Sequence, residues 1–308
     1  MTITQTLTRP ASLREYQQRQ RELQIPIIAE STRHGLAYQV QPSDLFITPY
    51  GKCGTTWLQQ IVHSLRTRGD MEFDDISRVV PWLEMAHRLG LDLYAPQPGN
   101  FQAFKSHLSW TKIPKGGRYI LSFRDPKDAL VSSYHFLNGW HWQAGAISIT
   151  EFARAHYLPH QDARWDGTDG TYWGHLVSWW EQRHNPQVLL LTYEGMKANL
   201  AATVEAIAHF LEIELDQPLR ELVLKHSSLE FMLAHQSKFS DPLQQAATAK
   251  EGLWPPGETT SKVNKGQVGA HRTELPAEIG AEMDAIWRET VEPRTGLASY
   301  QALRAALA

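Results

Sequence analysis

Four short apolar runs constrain the fold most, each ending in polar or turn-forming residues: 44–49 (DLFITP), 101–105 (FQAFK), 118–124 (RYILSFR) and 188–193 (VLLLTY). Each is too short for a free-standing helix and is read as a strand. The first, third and fourth lead into helix-like segments at 55–66, 127–137 and 196–211, the last with apolar Val204, Ile207, Ala208 and Leu211 on one face. Strands alternating with helices predict an α/β fold, a single three-layer domain whose central, mainly parallel sheet is covered on both faces. In such sheets ligands bind beyond the carboxyl ends of the strands. Functional residues are therefore expected just after each run.

A length of 308 residues with 42% hydrophobic content supports a substantial core, and no internal repeat or low-complexity tract divides it. Residues 1–40 are expected to form a polar, partly helical lead-in without the apolar stretch of a signal peptide, and 41–308 the domain proper. A formal charge of -3 argues against a general nucleic-acid or anionic-membrane binder, so any anion site must be local. The single cysteine, Cys53, excludes an intrachain disulfide and a Cys-rich zinc site, as expected of a protein of the reducing cytoplasm. No apolar run reaches the roughly 18 residues of a transmembrane segment. The stretch 235–265 is rich in Pro, Gly and small polar residues and is expected to be a long mobile loop acting as a lid.

After the first run comes YGKCGTTW, residues 50–57, in which Gly51 and Gly54 permit tight backbone geometry and a helix begins near Thr55. Backbone N–H groups at a helix start, with Lys52 and the hydroxyls of Thr55 and Thr56, make a phosphate cradle. It is not a Walker A loop, because Lys52 precedes Gly54 instead of following it. Alone, it is better read as a plain strand-to-helix turn. The third run emerges into RDPKDALVSSYHF, where the Arg124 fork and the Ser132 hydroxyl are suited to a second phosphate. A solvated charge cluster capping a helix is the ordinary alternative. The second run ends in KSHL, placing Lys105 and His107 on the same side of an extended segment. A histidine can take a proton from a hydroxyl, and a lysine can stabilise charge on transferring oxygens.

YGKCGTTW, KSHL, RDPKDALVSSYHF, LTYEGMK and KVNKGQVG, in this order, closely resemble the cytosolic sulfotransferase family from about residue 44 to about 269. The resemblance implies a donor, 3′-phosphoadenosine 5′-phosphosulfate (PAPS), the product PAP, an acceptor hydroxyl or amine, and no metal. Lys52 and the N–H groups of Cys53, Gly54, Thr55 and Thr56 would hold the 5′-phosphosulfate, and Arg124, Ser132, Lys265 and Gly266 the 3′-phosphate. Trp57, Tyr193 and Ser227 fall where the family holds adenine, and His107 matches its general base, with Lys52 and Lys105 neutralising charge. Trp82, Phe136, Trp140 and Trp142 lie near segments that border the family's acceptor cavity, which suits a small alcohol, phenol or lipid.

The chain departs from the family's usual pattern at Gly51 and Cys53, commonly Pro and Ser, and at Asn264, commonly Arg. A thiol at a helix start beside Lys52 is expected to be a reactive, nucleotide-protected handle. With Asn264, one charged contact to the 3′-phosphate is missing or is supplied by Lys262. The segment GAHRTELPAEIG lacks the pattern some members use for dimer contacts, leaving oligomeric state open. The alternatives are a kinase-like phosphotransferase, which would require Mg²⁺ and a true Walker lysine, and a silent nucleotide-binding protein of the same fold.

Overall fold

The computed structural model describes residues 7–159, 170–255, 262–263 and 266–308; Asn264 and Lys265 lie outside the described residues. All four expected strands form, as β1 (Leu45–Ile47), β2 (Ala103–Lys105), β3 (Arg118–Phe123) and β4 (Val188–Thr192). They pair in parallel in the order β2-β1-β3-β4, with Phe46 opposite Phe104 on one side and Tyr119 on the other. The chain crosses to one side of β1 and then back to the other, so the crevice between the β1 and β3 tips is a topological switch point.

Alternation along the strands sends residues to two cores. Phe46, Phe104, Tyr119 and Leu121 face the helices Tyr172–Trp180 and Ala277–Ile286. Leu45, Ile47, Ala103 and Ile120 face Thr55–Thr67, Leu200–Phe210 and Gln217–His226. With both faces covered, the only place for an open polar site is at the strand ends.

Two expectations are corrected. The lead-in, whose packing the sequence leaves open, lies on the domain: Tyr16 is fully buried against Trp142, Phe152 and Trp254, and the Tyr38 hydroxyl donates to Asp44 at 3.0 Å. The helix expected over 196–211 is two, Tyr193–Ala198 and Leu200–Phe210, broken at Asn199, whose side chain caps the second by accepting from the Ala202 amide. The stretch 235–265 is not a structureless loop: Gln236–Phe239 and Pro242–Lys250 are helical. Pro242 stands in the first helical turn, and LQQAATAK is made largely of strong helix formers, a pattern that outweighs the flanking breakers. The Arg88 guanidinium grips Glu251 through Nε at 2.9–3.0 Å, and Asp75 accepts the Leu243 amide at 3.0 Å, docking this segment on the domain. No helix among the described residues is long and apolar enough to cross a membrane.

Two helical glycines are expected to respond oppositely to alanine. A Cβ on Gly35 would stand 2.2 Å from the Leu83 carbonyl oxygen, whereas one on Gly174 meets only the Thr171 hydroxyl at 3.6 Å. Gly35→Ala should lose about 1–3 kcal/mol in urea denaturation. Gly174→Ala should be neutral or gain up to about 1 kcal/mol.

Candidate active site

Residues 50–57 leave β1 through a turn in which the Cys53 amide donates to the Tyr50 carbonyl at 3.1 Å. That amide is therefore occupied, and the free N–H groups begin at Gly54 rather than at Cys53 as expected. Lys52 (φ 66°) and Gly54 (φ 97°) both adopt left-handed backbone, which a glycine accepts freely and a lysine does not. A Cβ on Gly54 would also sit 3.0 Å from the Tyr193 ring. The Thr55–Thr67 helix starts on Gly54 with no side-chain cap, so its first N–H groups are available to an anion.

This loop borders a cavity of about 910 Å³ that is also lined by Lys105, His107, Arg124, Ser132, Tyr193, Ser227 and Gly266. The sheet thus brings together most of the expected site residues. Arg124 leaves β3 and donates to the Lys52 carbonyl and, through its other terminal nitrogen, to the Gln267 carbonyl, each at 2.9 Å. Its guanidinium lies 4.4 Å from the Tyr193 ring centre. Two of the donors expected for a phosphate are therefore holding the loop to the C-terminal segment. The neighbouring acids are structural: Asp125 caps the Pro126–Leu137 helix, and Asp128 receives the Gly269 amide at 2.6 Å and the His271 ring at 2.7 Å. Lys197 donates to the Gly266 carbonyl from the opposite side. Trp57 donates to the Ser227 carbonyl at 2.8 Å and meets Tyr193 edge-on.

Three buried polar atoms of this wall, Thr55 Oγ1, Arg124 Nε and Ser227 Oγ, have no hydrogen-bond partner among the described residues. Buried groups are rarely left so. Together with the uncapped helix start they fit a nucleotide carrying anionic groups.

At the other end, β2 delivers Lys105 and then His107. Pro81 and Leu83 bracket Lys105 through backbone bonds of 2.8 Å, which places Trp82 beside it, with Lys105 Nζ 3.6 Å from the Trp82 ring centre. The His107 amide donates to Glu84 at 2.7 Å, and its Nδ1 lies 2.7 Å from the Pro49 carbonyl oxygen. A carbonyl only accepts, so Nδ1 carries the hydrogen and Nε2 keeps its lone pair. Burial, reinforced by the charge of Lys105, holds the imidazole well below its ordinary pKa, and the ring is neutral at pH 7. Burial raises the Glu84 carboxyl to about 7.

Lys52 is depressed to about 7 by burial, with Arg124 and Lys105 adding to it, and Lys105 to about 8 by burial. Lys262 is also held well below its ordinary value, first by burial and then by the charges of Lys105 and Lys52. It pairs with Asp241. Sequence reasoning offered Lys262 as a substitute at the 3′-phosphate; the structure places it beside Lys105 instead. Neither Lys262 nor Glu84 carries a spacing signal, because loop closure and burial bring them to the site. Of the aromatic residues expected at the acceptor wall, Trp82, Phe136 and Trp140 line the cavity. Trp142 does not: it is fully buried 5.0 Å from the Tyr16 ring.

Residues 42–294 match the family model described as a sulfotransferase domain. The chain belongs to the sulfotransferase family. Dog (Canis lupus familiaris) sulfotransferase 1B1 is 31% identical over 209 residues, covering 63% of this chain and 68% of that relative. Luciferin sulfotransferase of Photinus pyralis is 27% identical over 254 residues, 70% of this chain and 65% of that relative. Retinol dehydratase, solved with androsterone and inactive cofactor PAP, superimposes with a TM-score of 0.66 at 19% identity, over 87% of this chain and 85% of that one. Mouse sulfotransferase SULT7A1 complexed with PAP gives 0.63 at 20%, over 91% and 94%. At those identities the structural likeness establishes the fold. The family match makes this chain a sulfotransferase enzyme and sets the kinase-like alternative aside.

The expected reactivity of Cys53 in this sulfotransferase is overturned. Its thiol is fully buried, and burial drives its pKa to about 12 against the weaker opposite pull of Arg124 and Lys52. A thiol reagent such as Ellman's should leave the native protein unlabelled with or without nucleotide and titrate one thiol after unfolding; rapid native labelling would contradict this burial.

Proposed function

We propose that this sulfotransferase moves a sulfuryl group from PAPS to a hydroxyl or amine of a small hydrophobic acceptor, with His107 as general base. The observation that carries the reading is a neutral His107, fixed through Nδ1 on the Pro49 carbonyl, in the same cavity as Lys52, Lys105 and Lys262. The bound donor supplies an electrophilic sulfur and a phosphate leaving group. His107 Nε2 takes the acceptor proton as the acceptor oxygen bonds to sulfur and the bond from sulfur to the phosphate oxygen breaks, releasing PAP. Lys52, Lys105 and Lys262 neutralise the sulfuryl oxygens and the departing phosphate in a site shielded from water.

The N–H groups from Gly54 to Thr56 hold the 5′-phosphosulfate, assisted by the Thr55 hydroxyl, whose oxygen lacks a partner among the described residues. Arg124 Nε, Ser132 and Gly266 receive the 3′-phosphate, joined in this proposal by Asn264 and Lys265. Trp57, Tyr193 and Ser227 hold the adenine. Trp82, Phe136 and Trp140 wall the acceptor, consistent with a phenol, alcohol or lipid. Retinol dehydratase, which shares the fold, is solved in complex with androsterone and with retinol, both hydrophobic alcohols. Cys53 as the sole cysteine is consistent with work in a reducing cytoplasm.

Incubation with labelled PAPS and a panel of phenols and alcohols tests the reading directly. His107→Ala should lower transfer roughly 10²–10⁴-fold while PAP affinity, read by calorimetry, stays within about two-fold; full activity in the variant would sink the assignment. A lysine with a depressed pKa is charged below that value and neutral above it. The rate constant kcat/KM for the donor should therefore fall as pH rises through the range of Lys52, about 7, and Lys105, about 8. Because its base carries no proton at neutral pH, no histidine limb should appear between pH 6.5 and 7.5. The groups proposed for the chemistry are lysines and a histidine, so a metal chelator should leave the rate unchanged.

A further inference from the structure

The acceptor cavity does not end in a uniformly apolar wall. Gln24 lines it, is only 3% exposed, and its Oε1 has no hydrogen-bond partner among the described residues. An amide buried this way costs stability unless something supplies the missing bond. Gln24 closes a π-helical turn, Gln20–Gln24, between the helices Leu13–Arg19 and Ile25–Leu36. A second π-helical turn, Ala153–Tyr157, carries His156, which lines the same cavity. Such turns are rare and occur disproportionately at functional sites, because the extra residue redirects a side chain. Of the three among the described residues, two each place a polar residue on the cavity lining, and the third, Trp287–Val291, packs in the core.

This end is set apart from the chemistry. The Ile25–Leu36 helix touches the catalytic scaffold at Gly35, against Leu83 and Glu84, the latter holding the His107 amide. Gln24 lies eleven residues earlier, about 16 Å back along the helix axis. The intervening wall is aromatic: Lys52 Nζ stands 4.1 Å from the Phe136 ring, Phe136 5.0 Å from Trp140, and Trp140 4.5 Å from His141. His141 and His156 are 6.2 Å and 5.3 Å from Tyr16, on the helix that leads into the Gln24 turn. Burial, with Arg88, His156 and Arg9 adding to it, drops the His141 pKa to about 3, so this imidazole is neutral.

We infer that the acceptor carries two hydrogen-bonding ends on an apolar body: the hydroxyl or amine presented to His107, and a second neutral donor group, hydroxyl or N–H, received by Gln24. The inference rests on the hydrophobic-acceptor reading above and narrows it to bifunctional molecules. A cationic far end is disfavoured, because the charges acting on His141 are those of Arg88 and Arg9 and neither Gln24 nor the neutral imidazole offers it a counter-ion. Gln24 sets specificity and takes no part in bond making.

The test uses the full chain, labelled PAPS and two series of probes: 4-alkylphenols of increasing chain length, and the same phenols with a hydroxyl at the chain end. At the best-fitting length the hydroxylated probe should have a kcat/KM roughly ten-fold above its plain counterpart, the discrimination typical of a site with an otherwise unpaired polar group. In Gln24→Met, which keeps length and removes the amide, the ratio of the two should collapse toward one. PAP affinity and thermal midpoint report that the variant is folded. Equal use of both series by the wild-type chain overturns the inference and leaves the sulfotransferase reading standing, as does a preference that survives in Gln24→Met. Transfer to neither series, with PAP still bound, overturns the hydrophobic-phenol reading itself and the inference with it.

Discussion

Three ammonium groups confined to one buried cavity form the constraint around which the site is organised. Lys52, Lys105 and Lys262 are all depressed, burial being the leading cause for each. Removing like charges from water together is unfavourable, and only a dense anion compensates it. Nearby features accommodate that load: Asp241 pairs with Lys262, aromatic faces lie against Lys52 and Lys105, and a neutral rather than protonated histidine stands beside them. A protonated His107 would add a fourth cation to the same space, so the charge of Lys105 that favours an anion in the cavity also favours the neutral imidazole.

Holding that arrangement requires backbone anchors that take no part in the chemistry. Pro49 at the end of β1 fixes the His107 tautomer, and Glu84, reached across the bridge between Trp82 and Lys105, fixes its backbone. Arg124 ties the phosphate loop to the C-terminal segment, and Asp128 and Lys197 secure that segment from either side. The left-handed Lys52 is tolerable because the Cys53 turn and the Arg124 bond to its carbonyl over-determine the loop. The far end of the cavity is built differently, from aromatic rings and two π-helical turns.

Much of the donor site was legible in the chain because its residues lie immediately after short apolar runs. A parallel sheet must place those positions at one edge, so Lys52, Lys105, His107 and Arg124 could be gathered by topology alone. Local chemistry was less dependable. A helix start beside a lysine suggested a reactive Cys53, yet burial, which no local pattern reveals, reverses the expected shift. Breakers at either end of 235–265 hid a helix, and a continuous helical pattern over 196–211 hid the Asn199 break.

By itself, then, the sequence determined the strand tips, the helix that opens on Gly54 and the meeting of Lys105 and His107 with the loop, because spacing and turn chemistry act over a few residues and a parallel sheet converts them into one site. The tertiary structure alone decided that Lys262 and Glu84 join that site, that Cys53 is inert, that Trp142 belongs to the core and that Gln24 looks into the acceptor cavity. Those outcomes turn on which long-range surfaces meet and how completely water is excluded between them. Burial is a property of the assembled layers, and no local pattern in the chain specifies it.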